Sequence, residues 1–576
     1  MRSLQSKIIA LLLSLSLFAC NIKDVEPYID PNPLPESDIV LDDLVDMEVY
    51  AEGMKVDCRY YAGKFTSRIL VNQTIYNAPE MVNIDRAGYY RIEIFTKNSS
   101  ADATDVIRMV ILDPERGEAE WGLPSWTPEE VETEIIGTQE IELIYPGNIP
   151  EGYSFPLVVV VDGQLTQSIV NLEGKVGSNS FLIKRGVGSI WIPGENMAAD
   201  QLVIDHRTFP IQTGKLEGPP MSLSGVLPAD MHIPPGSYVN ISGDLTIPQG
   251  TNLTIDAGSF ISIDPAVNIY NEGTLEFNGS EASPLTVTCS NPESYWGGVI
   301  GTGAGNSVEA THTIFGRSGY HSGADYNWGH AHRQALFYSE NGSIILDHSY
   351  MIDHVGQVCY SLFATVKMES CLIQRAKTGG QLNDSKVSIS HSVFTDFPDD
   401  SRDYKDNDND ALYLIACFAN ISSSVFMYAK DDGLDSGGGG TDGLVRVSDT
   451  RFEAIFHEGA ALSGGSSAGK NQYFTSCLFL NCGQGLELGF SSSAHHVYVD
   501  SCSFLRNGVG IRYGDCYAYG VSGYLSVSNS ESLESSYADV WNMDRYEWIA
   551  DTMHMDFDNV WVSKRIPMYP QLKVLE

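Results

Sequence analysis

Three stretches, Ile344-Ile345-Leu346-Asp347-His348-Ser349-Tyr350-Met351, Val366-Lys367-Met368-Glu369-Ser370-Cys371-Leu372-Ile373 and Val387-Ser388-Ile389-Ser390-His391-Ser392-Val393-Phe394, share one frame. An apolar residue is followed by a second two positions on, a Ser or Cys three after that, and a bulky apolar residue two further. The frame returns at Val308-Ala310-Thr313-Phe315, Val445-Val447-Thr450-Phe452, Gln472-Phe474-Cys477-Phe479 and Val497-Val499-Cys502-Phe504. It recurs without its first position at Ile421-Ser424-Phe426. The steps are mostly 21 to 27 residues, the length of one turn of a three-sheet coil whose strands pair with their equivalents in the next turn. A second series, Ala411-Leu412, Gly433-Leu434, Gly459-Ala460, Gly485-Leu486 and Gly510-Ile511, keeps the same pace and marks another strand of each coil. Two series in step predict a solenoid.

Shorter strands precede these coils, at Leu245-Thr246-Ile247, Leu253-Thr254-Ile255, Ile261-Ser262-Ile263 and Leu275-Glu276-Phe277. The phrases GTLEFNGSEASPLTVTC and YWGGVIG (295–301) accompany them. These phrases resemble the opening of right-handed parallel β-helix modules in surface lipoproteins of glycan-degrading Gram-negative bacteria. The resemblance covers roughly residues 237–530 and implies that fold. Residues 531–576, with DVWNMDRYEW and MYPQL, are expected to cap the last coil, which would otherwise leave an unpaired edge.

Upstream, residues 41–115 show alternating runs such as Met47-Glu48-Val49-Tyr50 and Tyr89-Tyr90-Arg91-Ile92-Glu93-Ile94-Phe95, the pattern of a small Ig-like β-sandwich. Pro-rich punctuation at 121–128 leads into a second sandwich over 116–215, with Leu157–Val161 as a buried strand. The expected class is all-β: two small β-sandwich domains followed by a right-handed parallel β-helix. That architecture by itself assigns no role.

Residues 1–20 read as an export signal, since Arg2 and Lys7 precede an apolar run that stops at Cys20 and is too short to span a bilayer. The tetrad Leu17-Phe18-Ala19-Cys20 resembles the lipobox of bacterial lipoproteins. That resemblance implies lipidation of Cys20, an outer-membrane anchor and display at the cell surface. Residues 21–40, acidic and Pro-rich, suit a flexible stalk. The formal charge of −39 opposes binding of nucleic acid and other polyanions unless cations intervene. With Cys20 set aside, nine cysteines remain at irregular spacings, which points to small core residues rather than a disulfide or zinc framework.

The densest candidate site is Asp406-Asn407-Asp408-Asn409-Asp410, followed one coil on by Asp431-Asp432-Gly433-Leu434-Asp435. Alignment of the coils puts Asp410, Asp432 and Glu458 in one turn column. The outward positions of the next strand are Tyr413, Asp435, Ala461, Glu487 and Arg512. Hard oxygen ligands suit calcium, and Asp408, Asp410, Asp431, Asp432 and Asp435 are the candidate ligands. Coils about 4.8 Å apart force these carboxylates together, so a cation or raised pKa values must relieve them. The run DDGLD resembles the calcium-binding stretch of calcium-dependent pectate lyases, which implies a basic residue that removes a proton beside a uronate. Ala461 stands where that base would be sought, leaving Lys430, Lys405, Arg512 and Glu487 as candidate catalytic groups. The Asp run also reads as a solvated loop.

The segment Gly319–Arg333 is long enough to leave the coil. It carries Tyr320, Tyr326 and Trp328, whose rings suit stacking on sugars, and His330 and His332, read as loop histidines ahead of metal ligands. Three functions follow: a surface lipoprotein that binds or helps process extracellular polysaccharide, a calcium-assisted polysaccharide lyase or hydrolase, and a non-catalytic structural or adhesive stalk.

Lipidation at Cys20 is testable by fractionation. Cys20→Ser releases the mature protein from the membrane fraction or leaves it unprocessed; unchanged mass and membrane partitioning would contradict the anchor.

Overall fold

The computed structural model describes residues between 39 and 575, leaving out 113–136 and shorter stretches that include 195–200, 398–408, 437–443, 464–470, 490–495, 515–522 and 543–554. Cys20, Lys405, Asp408 and His330 therefore lie outside the described residues.

The first unit has a six-stranded sheet with Lys64–Val71, Gly88–Thr96 and Asp105–Leu112 at its heart, and a three-stranded sheet of Ile39–Val40, Met54–Asp57 and Met81–Ile84. Alternation does the work, since Val82 and Ile84 point into a core that also holds Ile69, Ile92 and Ile94. The second unit pairs Phe155–Val161 with Ile141–Ile144 and Val187–Ile192, all antiparallel. A four-stranded sheet, Leu172–Val176, Asn179–Ile183, Gln201–Ile204 and Arg207–Pro210, packs against it. Every residue of Phe155–Val161 is buried, because one face meets its own sandwich and the other meets the rest of the chain.

The rest is a parallel β-helix. One sheet has thirteen strands, from Met231–Ile233 to Met555–Asp558, each parallel to the next. A 27-stranded sheet contains two further columns. One includes Tyr350–Ile352, Leu372–Gln374, Val393–Phe397, Val425–Ala429 and Arg451–Glu453. The other includes Gln357–Leu362, Thr378–Asn383, Tyr413–Ile415, Leu434–Asp435, Glu458–Ser463, Gln484–Gly489 and Val509–Tyr513. The parallel ladder starts at Met221–Val226 and runs on to Lys573–Val574. It thus extends past both edges of the 237–530 span read from the sequence, and the segment expected to act as a cap supplies strands of the same ladder.

The repeat frame has a local cause. The small residue of each coil follows a residue with positive φ, such as His348 (43°), Ser370 (51°) and His391 (50°). Its hydroxyl or thiol donates to the carbonyl two residues back: Ser349 to Asp347, Cys371 to Glu369, Ser392 to Ser390, Cys477 to Thr475. The same carbonyl also accepts an amide of the preceding coil, as Asp347 does from His312; what the contact satisfies is the buried hydroxyl or thiol, which is why Ser, Thr and Cys interchange there. The eight described cysteines are buried and form no disulfide with one another. The bulky position forms the axial stack Phe394–Phe426–Phe452–Phe479–Phe504, with neighbouring centroids 4.6 to 5.3 Å apart and planes within 17°.

Phe452 is fully buried between two stacked rings. Phe452→Ala is expected to cost about 3–5 kcal/mol and to lower the unfolding midpoint measured by calorimetry; an unchanged midpoint would contradict the stacked interior.

Candidate functional site

Gly433, Gly459, Gly485 and Gly510 set the position of the site. A Cβ at Gly433, Gly459 or Gly485 would lie 2.5 to 2.6 Å from the next coil's backbone carbonyl and about as close to an inward Phe. Only glycine lets the chain turn so tightly into the strand. The residues just before the glycine, Asp431-Asp432 in one coil and His457-Glu458 in the next, thereby occupy equivalent positions one coil apart.

Ladder geometry then ties each carboxylate to the coil above. Asp410 Oδ1 accepts from the Asp432 amide at 3.3 Å, and Asp432 Oδ1 accepts from the Glu458 amide at 3.1 Å. Gln484, one coil further, donates through Nε2 to Glu458 Oε1. His457 Nδ1 contacts Glu458 Oε2, lies 3.3 Å from Asp431 Oδ1 and 3.6 Å from Asp432 Oδ1. Arg512 Nη2 reaches Glu487 Oε1 at 2.8 Å and Glu458 Oε1 at 3.6 Å. Asp410, Asp431, Asp432, Asp435, Glu458, Glu487 and Arg512 are all buried, with Glu458 and Arg512 at 1% exposure.

Burial and crowding separate the carboxyls. Asp432 is pushed well above the usual carboxylate range by burial first, then by the charges of Glu458 and Asp431. Burial also pushes Glu458 up, but His457 and Arg512 face it and hold it at about 2. Burial opposes the charge on His457, yet Glu458 and Asp431 raise it well above the ordinary imidazole value. The cluster therefore favours the neutral form of Asp432 beside the charged forms of Glu458 and His457.

Of the sequence candidates, the structure brings Asp410, Asp431, Asp432, Glu487 and Arg512 into one cluster. Asp435 is buried on the adjoining strand, in register with Tyr413 and Ala461. Lys430 is not set up as a base toward open space, because its ammonium lies 4.1 Å over the Phe456 ring and the residue is buried. Arg512 is bracketed by carboxylates. The set of ligand atoms that gathers among the described residues, within 4.8 Å, is Asp431, Asp432 and His457. That mixed nitrogen and oxygen set differs from the all-oxygen one read from sequence and suits a transition ion better than calcium. His457 and Gln484 were missed in the sequence. The signal was there, since His457-Glu458-Gly459 repeats the register of Asp431-Asp432-Gly433.

The excursion divides its aromatic residues. Tyr320 and Trp328 are 54% and 51% exposed. Tyr326 instead packs on Tyr338 and Tyr270, anchoring the segment to the coil. Gln357 Nε2 donates to the carbonyls of Trp328 and Arg333, and Trp328 Nε1 donates to Asp325 O, so the indole is fixed with its faces outward. Gly329, at φ +78°, closes so near that a Cβ would meet Gln381 Oε1 at 2.8 Å. Gln381 pairs in register with Tyr413, and Tyr413 with Asp435. Trp328 pairs with Arg333 on the strand four coil steps before Asp435 in the same column, about 19 Å along the axis at the usual strand spacing.

No family model matches the chain, and no curated protein matches it. Among solved structures, an alginate lyase from Paenibacillus sp. str. FPU-7 aligns with 56% of this chain and 98% of its own, at 9% identity and a TM-score of 0.17. A superposition that poor carries no argument.

The protonation pattern gives pH-dependent stability of defined sign. Asp432 is raised, so its ionisation costs stability as pH climbs above the ordinary carboxylate value. Asp432→Asn removes that cost and is expected to melt higher than wild type at pH 7, the advantage fading below pH 4. Glu458 is depressed, so its contribution is full above its ordinary 4.5 and is lost as pH falls towards about 2. Glu458→Gln is therefore expected to melt lower at pH 7. Melting shifts of the opposite signs would refute the assignment.

Proposed function

We propose that the protein acts on an extracellular polysaccharide, held at the cell surface through a lipidated Cys20, and that the Asp432 cluster is a cleavage centre. The observation that supports this is the gathering of Asp410, Asp431, Asp432, His457, Glu458, Glu487 and Arg512 from successive coils into one buried cluster. Structural ion pairs alone need no protonated carboxyl; a proton donor does. Glycosidic cleavage asks for a carboxylic acid that protonates the leaving oxygen and a carboxylate that activates water. Asp432 serves as the acid, and Asp435 on the strand that follows takes the second role; Asp431, with its oxygen within 4.8 Å of Asp432, leaves no room for the water and holds His457 instead. Glu458 is a positioning residue: it fixes His457 and Arg512. The exposed Trp328 and Tyr320 rings, several coils back along the column, hold the chain by stacking.

A metal-assisted route is the second reading, supported by the Asp431, Asp432 and His457 ligand atoms. A divalent ion there would supply positive charge for a sugar oxygen or carboxylate. Calcium or a transition ion would raise the melting temperature of wild type and not of Asp432→Asn.

Reducing-end assays on neutral, amino and uronate polysaccharides test the proposal, together with ultraviolet detection of unsaturated products. Asp432→Asn is expected to lower hydrolysis by about 10²-fold or more while glycan retention persists, and Trp328→Ala to weaken retention. Retention without cleavage would leave a binding scaffold. Neither retention nor cleavage would leave a structural stalk, and unsaturated products would favour the lyase.

A further inference from the structure

A second concave site lies on another side of the coil, where the second sandwich docks. Apolar residues of both parts make the joint: Ile144, Val158 and Val160 pack against Ile314, Ile352 and Leu372. Charge pairs then lock it. Lys184 binds Asp396, Arg185 binds Glu453, and Trp191 Nε1 donates to Asp353, which Arg375 also holds at 2.6 Å. Beside this joint a groove of about 630 Å³ remains open. The sandwich lines it with Glu142 and the turn at Gln164, and the β-helix with Glu281, Tyr350 and the imidazoles of His312, His348 and His391.

The three imidazoles come from the same positive-φ corner of different coils, which points them outward. His312 and His348 present ring centroids 4.8 Å apart with planes 30° apart. This is a wall of flat faces and nitrogen edges, and its size falls within that of small-molecule sites. Its charge is selective. Burial first, then the neighbouring Glu281, push the Glu142 carboxyl up against the opposing effect of His348, and a further carboxylate beside Glu142 and Glu281 would add to that repulsion. Hydroxyl or ammonium donors would relieve it.

We propose that this groove is a carbohydrate-binding subsite, separate from the Asp432 cluster, for a saccharide of one to three rings that carries no carboxylate. The second sandwich is then half of a binding site and not a spacer. Glu142 accepts from the sugar's donors, and the imidazole faces and Tyr350 flank the rings. The groove holds glycan whether or not the Asp432 cluster cleaves it.

The test is calorimetry and saturation-transfer NMR on the full chain with neutral, amino and uronate trisaccharides. At least one neutral or amino trisaccharide is expected to bind. Glu142→Gln should weaken it about tenfold, the loss of a hydrogen bond to a charged acceptor. Gln164 is exposed, so Gln164→Trp should block the mouth without disturbing the fold. Asp432→Asn should leave this binding unchanged. The proposal is overturned if no trisaccharide binds, if the uronate binds as tightly as the others, or if Asp432→Asn rather than the groove variants removes binding. It is likewise overturned if a lysine-rich peptide occupies the groove and the sugars do not.

Discussion

In a parallel ladder paired in register, each residue lies about 4.8 Å from its equivalent in the next coil, so every position is chosen against a copy of its own kind. Inside, this is favourable. Phe stacks on Phe from 394 to 504, and Ser, Thr and Cys each place their buried hydroxyl or thiol on a carbonyl of their own coil. Outside, the same rule is costly, because acidic residues recurring at one register repel in a poorly solvated setting. Much of the chemistry follows from how those outward charges are relieved.

Two solutions appear on different columns. Beside the second sandwich, Asp353, Asp396 and Glu453 are met by cations, Lys184 and Arg185 from the sandwich and Arg375 from the coil. Such buried pairs are weak evidence for stability, since desolvation offsets much of their attraction, but they fix orientation. That fixed orientation keeps the groove at Glu142 open in one shape. On the Asp432 column the relief is incomplete. His457 and Arg512 face Glu458 and Glu487, while burial and the neighbouring carboxylates favour the neutral form of Asp432. A site that retains an unfavourable carboxyl where a neutral residue would be more stable bears the mark of function.

The β-helix was legible in sequence because its causes are local and periodic: a positive-φ corner, a small hydroxyl or thiol, then a bulky residue. The Asp410–Asp432–Glu458 column could be read by the same alignment. His457 was passed over because a base was sought on the strand, at Ala461, whereas the coil delivers its polar groups from the turn before the glycine. The docking of the second sandwich left a subtler trace. Ile314, Tyr350, Leu372, Val393, Val425 and Met427 flank inward residues and are apolar themselves. Loss of alternation in those strands means burial on both faces. What covers the outer face depends on contacts more than a hundred residues distant, such as Lys184 with Asp396, and no local pattern encodes them.

The most direct measurement is infrared difference spectroscopy of the carboxyl groups at pH 7, comparing wild type with Asp432→Asn. The account predicts a protonated-carboxyl C=O band in the wild type that Asp432→Asn removes. If wild type shows only ionised carboxylates and the two spectra coincide in that region, Asp432 is not a poised proton donor, and the cluster is an ion-pair network with no acid to give.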